Sequence, residues 1–186
     1  MNLRNKHKNE FVLKGELKSK YKGNSGCVIV CIKVGDRTYP QVVCWNENAR
    51  RVLQYNVGDT ITLLCNAQSS LHRNIGDKPK VTVSLFCTCI LDNGLIAAPT
   101  YNRFSVKGQV VSCIENENRI SLLVRVVDQR VSTFNIVIYN PNPRIHCFEE
   151  NQPVSIQGYV KTVIRRDENN KKLYFTDYIS ERISDF

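Results

Sequence analysis

The chain has 186 residues, of which 42% are hydrophobic, and its 26 Lys and Arg against 17 Asp and Glu give a net charge of +9. The longest apolar run, Cys27–Ile32, is too short for a membrane-spanning helix of about 20 residues, and the polar start MNLRNKHKNE lacks the apolar region of a secretory signal. We therefore expect a cytoplasmic protein. The positive charge is concentrated in residues 1–97, which hold 14 basic and 7 acidic residues, and it favours a polyanionic partner such as nucleic acid.

Two phrases of the sequence match each other at an offset of 93 residues. NEFVLKGELKS, at 9–19, and NRFSVKGQVVS, at 102–112, share Asn, Phe, Lys, Gly and Ser in the same places. Later segments agree in order and spacing near the same offset. Asp-Asn-Gly and Ala-Pro between the copies are typical of a turn and a linker. The sequence therefore predicts a first domain at 1–91, a linker at 92–101 and a second domain at 102–186.

The first copy begins with a strand in which apolar residues alternate and Gly15 marks a bend. A polar loop, KSKYKGNS, leads to a strand rich in β-branched residues, CVIVCIKV, and a short turn leads to a third strand, TYPQVVCW. The segment NENARRVLQYN places Ala49, Val52 and Leu53 at helical spacing, which predicts one short helix. Strand four is TITLLCNA, and a long polar loop, QSSLHRNIGDKPK, precedes strand five, VTVSLFCTCIL.

The second copy repeats these elements in the same order. Its strands are NRFSVKGQVV, RISLLVRVV, STFNIVIY, VSIQGYV and LYFTDYISERI, and its polar loops are SCIENEN and KTVIRRDENNKK. The helical segment becomes NPNPRIHCFEEN, where two prolines predict a shorter or less regular helix. Five strands, a helix between the third and fourth, and long loops after the first and fourth are the plan of an OB-fold. We therefore predict an all-β chain of two tandem OB-fold, five-stranded Greek-key barrels, each with a short helix between strands three and four.

The stretch YPQVVCWNENARRVLQYNVGDTITLL resembles the bacterial and phage single-stranded DNA-binding proteins. In that family the third strand carries two aromatic residues and is followed by a small helix and a glycine turn. Tyr39 and Trp45 match the aromatic residues, Ala49 matches the helix alanine and Gly58 matches the turn. The match covers most of the first copy.

The second copy resembles this family more loosely. Tyr139 matches the second aromatic residue and Gly158 matches a glycine of strand four, while Thr133 occupies the position of the first aromatic residue. The resemblance implies sequence-tolerant binding and protection of single-stranded DNA in replication, recombination or conjugative transfer. It also implies an assembly of four OB units, which two copies per chain would reach as a homodimer. A lysine- and asparagine-rich chain of this kind suits a phage or a mobile element.

Alternation along the third strand predicts an outward face made of Tyr39, Gln41, Val43 and Trp45. OB-folds bind oligonucleotides on this face and on the loops after strands one and four. Aromatic rings there stack with any base, so we expect Tyr39 and Trp45 to stack with DNA. The alternative for Trp45 is packing on the barrel or on the second copy. Tyr139 has the corresponding role in the second copy, where one of Tyr174 and Phe175 is expected to face outward.

Basic residues in the predicted loops are candidates for contacts with phosphate groups. In the first copy they are Lys18, Lys20 and Lys22, with Tyr21 among them, then Arg37, and then His72, Arg73, Lys78 and Lys80. In the second copy they are Arg165, Arg166, Lys171 and Lys172. The alternative for any one of them is a solvated surface charge. A basic pair at matching loop positions in both copies favours the phosphate role.

The sequence shows no pattern of catalytic or metal-binding residues. None of the eight cysteines forms a C-x-x-C pair, and the three histidines are far apart. We therefore predict a binding protein without a cofactor or metal, not an enzyme. Two alternatives remain open, an RNA- or tRNA-binding OB protein and an OB scaffold that contacts replication or recombination proteins.

Overall fold

A computed structural model describes residues 8–72, 80–128, 130–139, 141, 148–166, 170 and 172–184. The first five strands are β1 (Lys8–Lys22), β2 (Val28–Lys33), β3 (Gln41–Cys44), β4 (Thr60–His72) and β5 (Lys80–Leu91). The next five are β6 (Tyr101–Asn116), β7 (Arg119–Val127), β8 (Val131–Tyr139), β9 (Pro153–Arg166) and β10 (Lys172–Ser184). Helix α1 (Asn46–Leu53) follows β3, and short 3-10 turns lie at Asn24–Gly26 and Asn93–Leu95.

The first five strands form a closed barrel. Neighbouring strands pair in the cycle β1, β2, β3, β5, β4 and back to β1, and only the β3–β5 pair within this cycle is parallel. Helix α1 lies between β3 and β4 in sequence and buries Ala49 and Val52. The prediction of an all-β fold with an OB-like barrel is therefore confirmed. Leu53, which was expected on the same apolar face, is exposed at the end of the helix.

The last five strands pair in the corresponding order. The cycle runs β6, β7, β8, β10, β9 and back to β6, with β8 and β10 parallel. The segment in which a second short helix was predicted falls mostly outside the described residues. No helix in the described ranges is long and apolar enough to cross a membrane.

The two sets of strands are joined by an antiparallel pairing of β1 with β6. Phe11 pairs with Phe104, its counterpart at the 93-residue offset, and the register continues symmetrically on both sides. The rings of Phe11, Phe104, Phe134 and Tyr178 contact one another at this junction. The core of the molecule is therefore continuous across the junction, with an approximate two-fold axis at the Phe11–Phe104 pair.

Residues shared by the two opening phrases make matching contacts. The Asn9 amide donates to the Ala67 carbonyl at 2.8 Å and accepts from the Ala67 N–H at 2.9 Å. Asn102 makes the same pair of hydrogen bonds with the backbone of Val160, at 2.8 and 3.0 Å. In each copy the side chain thus extends the strand pairing past its last backbone bond. The shared Asn is explained by this hydrogen bonding.

The shared glycine has a steric explanation. A Cβ on Gly15 would collide with the carbonyl oxygen of Lys33, and one on Gly108 would collide with that of Arg125. Just beyond each glycine the pairing with the next strand shifts by one residue, in a β-bulge that bends the strand. The bend predicted at Gly15 therefore lies where strand β1 passes from pairing with β4 to pairing with β2.

The predicted polar loops are shorter than expected, because the strands extend into them. β1 continues to Lys22, so most of KSKYKGNS is strand, and β6 continues to Asn116. The predicted long loops after β4 and β9 are also mostly paired strands. In the first copy β4 pairs with β5 as far as His72 and Lys80, and in the second copy β9 pairs with β10 as far as Arg166 and Lys172. Polar composition indicated loops here, but cross-strand hydrogen bonds do not require apolar side chains. We call the paired segments 68–72/80–84 and 161–166/172–177 the first arm and the second arm.

Three thiols lie side by side inside the first barrel. Cys44, Cys87 and Cys65 sit on the adjacent strands β3, β5 and β4 and are all buried. A hydrogen bond with Cys44 and burial both raise the pKa of Cys87, and burial raises the pKa of Cys65. The same hydrogen bond lowers the pKa of Cys44, whereas Cys65 and Cys87 are neutral core residues at pH 7.

Candidate nucleic-acid interface

The predicted aromatic pair lies at the two ends of strand β3. Along this strand Gln41 is exposed while Val42 and Cys44 are buried, as the alternation predicted. Tyr39 precedes the strand with 37% of its surface exposed, and Trp45 follows it with 38% exposed. Trp45 is also the N-cap residue of α1, directly before the helix begins at Asn46. The chain therefore presents two aromatic rings to solvent, one at each end of a strand whose alternate residues Val42 and Cys44 face the barrel interior.

The corresponding strand of the second copy presents one aromatic ring. Tyr139, at the end of β8, is 46% exposed, and Thr133, the third residue of β8, occupies the position that corresponds to Tyr39. Arg119 pairs with Tyr139 across β7 and β8, and its Nε has no hydrogen-bond partner among the residues that the structure describes. Sequence reasoning missed this arginine, because only the β7–β8 register places it beside Tyr139.

The basic residues of the first hairpin differ in their contacts. Lys18 pairs with Glu16 at 2.5 Å. Lys20 Nζ donates hydrogen bonds to the carbonyl oxygens of Leu53 and Tyr55, which links β1 to the end of α1. Tyr21 and Lys22 are exposed close to the hairpin tip. Lys18 and Lys20 therefore both have contacts within the chain, and their role in binding phosphate stays a prediction.

The remaining basic candidates lie at turns and at the ends of the arms. Arg37 is exposed in the turn between β2 and β3, with a φ of 50°. His72 and Lys80 pair in the last position of the first arm, and Arg166 and Lys172 in the last position of the second, with Arg165 next to them. Arg73, Lys78 and Lys171 lie outside the described residues. Arg166 also donates to the Asn170 side chain at 2.7 Å.

Each arm lies against the third strand of the other copy. The backbone N–H of Tyr39 donates to Thr162 Oγ1 on the second arm at 2.7 Å. The backbone N–H of Thr133 donates to Ser69 Oγ on the first arm at 3.0 Å. The two hydrogen bonds are counterparts, since both donors and both acceptors correspond in the repeat. The basic arm of one copy therefore approaches the aromatic strand of the other, an arrangement that reading each copy separately did not predict.

Both neighbouring aromatic residues of the last strand are exposed. Tyr174 and Phe175 were expected to point to opposite faces, with only one outward, yet the structure exposes both. The reason is that they lie on the second arm, which extends beyond the barrel, so that neither face is covered by a core. This prediction was wrong.

The exposed aromatic and basic side chains are groups that a polyanionic strand could contact. No cluster of three His, Cys, Asp or Glu suited to a metal ion is present in the described part of the chain. Exposed rings offer flat surfaces on which bases stack, and arginine and lysine side chains attract phosphates. The site as a whole suits a single strand whose bases are unpaired.

Comparisons with known proteins support the fold. No protein-family model matches the chain, and no curated protein matches it in sequence. Among solved structures it is similar to a deletion variant of the single-stranded DNA-binding protein from Thermus aquaticus, with a TM-score of 0.70, 12% identity, and coverage of 97% of this chain and 95% of that one. The wild-type Thermus aquaticus protein gives a TM-score of 0.69 at 12% identity, covering 97% and 93%. This chain therefore shares the fold of the Thermus aquaticus protein over nearly its whole length.

Proposed function

We propose that this protein binds single-stranded DNA without strong sequence preference and protects it. The observation that carries the proposal is the exposed pair Tyr39 and Trp45 at the ends of β3, on a barrel of the OB type. These two rings lie on the surface that OB-folds use for oligonucleotides, where exposed aromatic rings are suited to stacking with bases. The similarity in fold to a protein that is named for binding single-stranded DNA supports the same conclusion.

Binding would combine stacking with phosphate neutralisation. Bases stack on Trp45, Tyr39 and Tyr139, each contact contributing about 1–3 kcal/mol. Basic residues of the arms, the first hairpin and the Arg37 turn contact the backbone. Because each arm reaches the third strand of the other copy, one strand of DNA would meet side chains from both copies.

The two copies are proposed to be OB units that arose by duplication. The contacts repeated at an offset of 93 residues, including the two Asn side chains and the crossed arms, support this. A homodimer would then supply four OB units. We further propose that the protein acts in the cytoplasm, in replication, recombination or conjugative transfer of a phage or mobile element, and that it is not an enzyme.

The test is a titration of fluorescently labelled oligo-dT, followed by anisotropy at about 50 mM and about 200 mM salt. If about five phosphates are neutralised, the affinity falls roughly 100-fold between these concentrations. Matched oligo-rU and a DNA duplex serve as competitors. Weak competition by both is expected. Tighter binding of oligo-rU would indicate an RNA-binding protein, and failure to bind either single strand at low salt would favour a protein-interaction scaffold.

A further inference from the structure

Tyr174 is one of the most exposed aromatic residues in the described part of the chain. Its side chain is 64% exposed on the second arm, where it pairs with Ile164 across β9 and β10. It takes part in none of the ring contacts found among the described residues. A solvated tyrosine on a projecting hairpin contributes little to the core, so its ring is accessible to a ligand.

Strand geometry places Tyr174 on the side of the second arm that faces the first copy. Thr162 points its hydroxyl at the Tyr39 backbone, with 2.7 Å between the two atoms. Ile164 lies two residues further along β9, so its side chain shares that face with Thr162. Tyr174, the cross-strand partner of Ile164, shares it too, and its Cα lies roughly 7–8 Å diagonally from that of Thr162. The Tyr174 ring therefore lies two residues further along the second arm than Thr162, the residue that contacts Tyr39.

We propose that Tyr174 is a further base-stacking position, used by a strand of DNA that already contacts Tyr39 and Trp45. This inference rests on the proposed function and adds to it a site built from both copies. The aromatic residues of the first copy supply two of the stacking surfaces and the second arm supplies a third. Exposed Arg166, two residues beyond Ile164 on the same face of β9, supplies positive charge for the backbone of that strand.

The first arm lacks this feature, which makes the two sides of the molecule unequal. Val81 occupies the position that corresponds to Tyr174, and it pairs with Leu71. The first arm meets the second copy at Thr133, where the first copy has Tyr39. Where the second arm meets the first copy, Tyr39 and Tyr174 are both aromatic. At the other crossing, where the first arm meets the second copy, Thr133 and Val81 occupy the corresponding positions. DNA should be held more tightly at the crossing that contains Tyr39 and Tyr174.

The test compares Tyr174→Ala with Tyr174→Phe, and uses Val81→Ala as the control at the corresponding position. Affinity for oligo-dT of about 12–24 nucleotides, which covers the usual site size of an OB-fold, is measured by anisotropy. Tyr174→Ala should bind about 5- to 150-fold more weakly, while Tyr174→Phe and Val81→Ala stay within about 2-fold of wild type. Oligo-dT with 5-iododeoxyuridine at single positions should photocross-link to the peptide that contains Tyr174.

The outcomes separate this inference from the proposed function. If the wild-type protein does not bind oligo-dT, the proposed function fails. If it binds, but Tyr174→Ala binds equally well and no adduct forms on the Tyr174 peptide, only the inference is overturned. If Tyr174→Ala changes the mass measured by light scattering at unchanged affinity, the ring belongs to a contact between copies of the chain and the inference is again overturned.

Discussion

Replacing Phe11 with alanine should weaken the whole molecule, because this ring joins the two copies. Phe11 belongs to β1 and is fully buried, and among the described residues its ring contacts are all with the second copy. Its centroid lies 5.2 Å from that of Phe104, 5.5 Å from that of Tyr178 and 6.4 Å from that of Phe134. Truncating a buried phenylalanine lowers the free energy of unfolding by about 3–5 kcal/mol. For a chain of this size, that corresponds to a fall in Tm of roughly 6–20 °C.

The assay is urea unfolding followed both by Trp45 fluorescence, which reports on the first copy, and by far-UV circular dichroism, which reports on the whole chain. Both midpoints should fall together in Phe11→Ala. Val57→Ala, which truncates an exposed side chain, should change the free energy of unfolding by less than about 0.5 kcal/mol. A double-mutant cycle with Phe104→Ala should give a coupling of about 0.5–1.5 kcal/mol. A loss below about 1 kcal/mol in Phe11→Ala would refute the junction described here.

Three further results are expected. Asn9→Asp and Asn102→Asp each place a carboxylate oxygen against a backbone carbonyl, so each should lower the free energy of unfolding by about 1–3 kcal/mol in urea titrations; a loss from only one would contradict the matched contacts. Gly158→Ala, whose Cβ would meet the Ile179 carbonyl, should reduce the yield of folded protein, and a wild-type yield would argue against this packing. Burial, with a smaller contribution from the Asp177 charge, raises the pKa of Tyr178, so the stability that its neutral form provides is present below about pH 10 and lost as the pH rises further. Tyr178→Phe should reduce this alkaline loss of stability in urea titrations at rising pH. An unchanged loss would contradict the prediction.

Much of the first barrel was predictable from local patterns. The alternation of Val42 and Cys44 with outward neighbours, the helical spacing of Ala49 and Val52, and the glycine at position 15 each reflect a constraint between residues that are close in sequence. Such constraints leave a readable periodicity. The strand order of the barrel followed from the order of these elements and from the resemblance to a known family.

The arms could not be predicted in the same way. Apart from Leu71, Val163 and Ile164, residues 68–72 and 161–166 are polar or basic, which is typical of loops, but their hydrogen-bonding partners lie on the returning strand. The outer part of each arm projects beyond the barrel core, so the apolar alternation of these segments is incomplete. For the same reason Tyr174 and Phe175 are both exposed, although neighbours on a strand normally divide between core and solvent.

The contacts between the copies could not be predicted from the sequence either. Ser69 and Thr162 are ordinary polar residues, and only the folded chain brings their hydroxyls to the backbone of Thr133 and Tyr39. The matching offset is a signal that the two hydroxyls are equivalent, but it does not indicate what they contact. The candidate site is therefore predictable as a set of aromatic and basic residues, and its construction from both copies is not.

The most direct test of DNA binding by stacking compares Trp45→Ala with Arg51→Ala in oligo-dT titrations at low salt. Both residues lie at α1, but Trp45 is on the proposed stacking surface, while the Arg51 guanidinium donates to the Ile90 carbonyl at 3.4 Å. Trp45→Ala should bind about 5- to 150-fold more weakly, Arg51→Ala should stay within about 3-fold of wild type, and oligo-dT should quench the Trp45 fluorescence of the wild-type protein. Unchanged fluorescence together with a larger loss in Arg51→Ala than in Trp45→Ala would contradict the account.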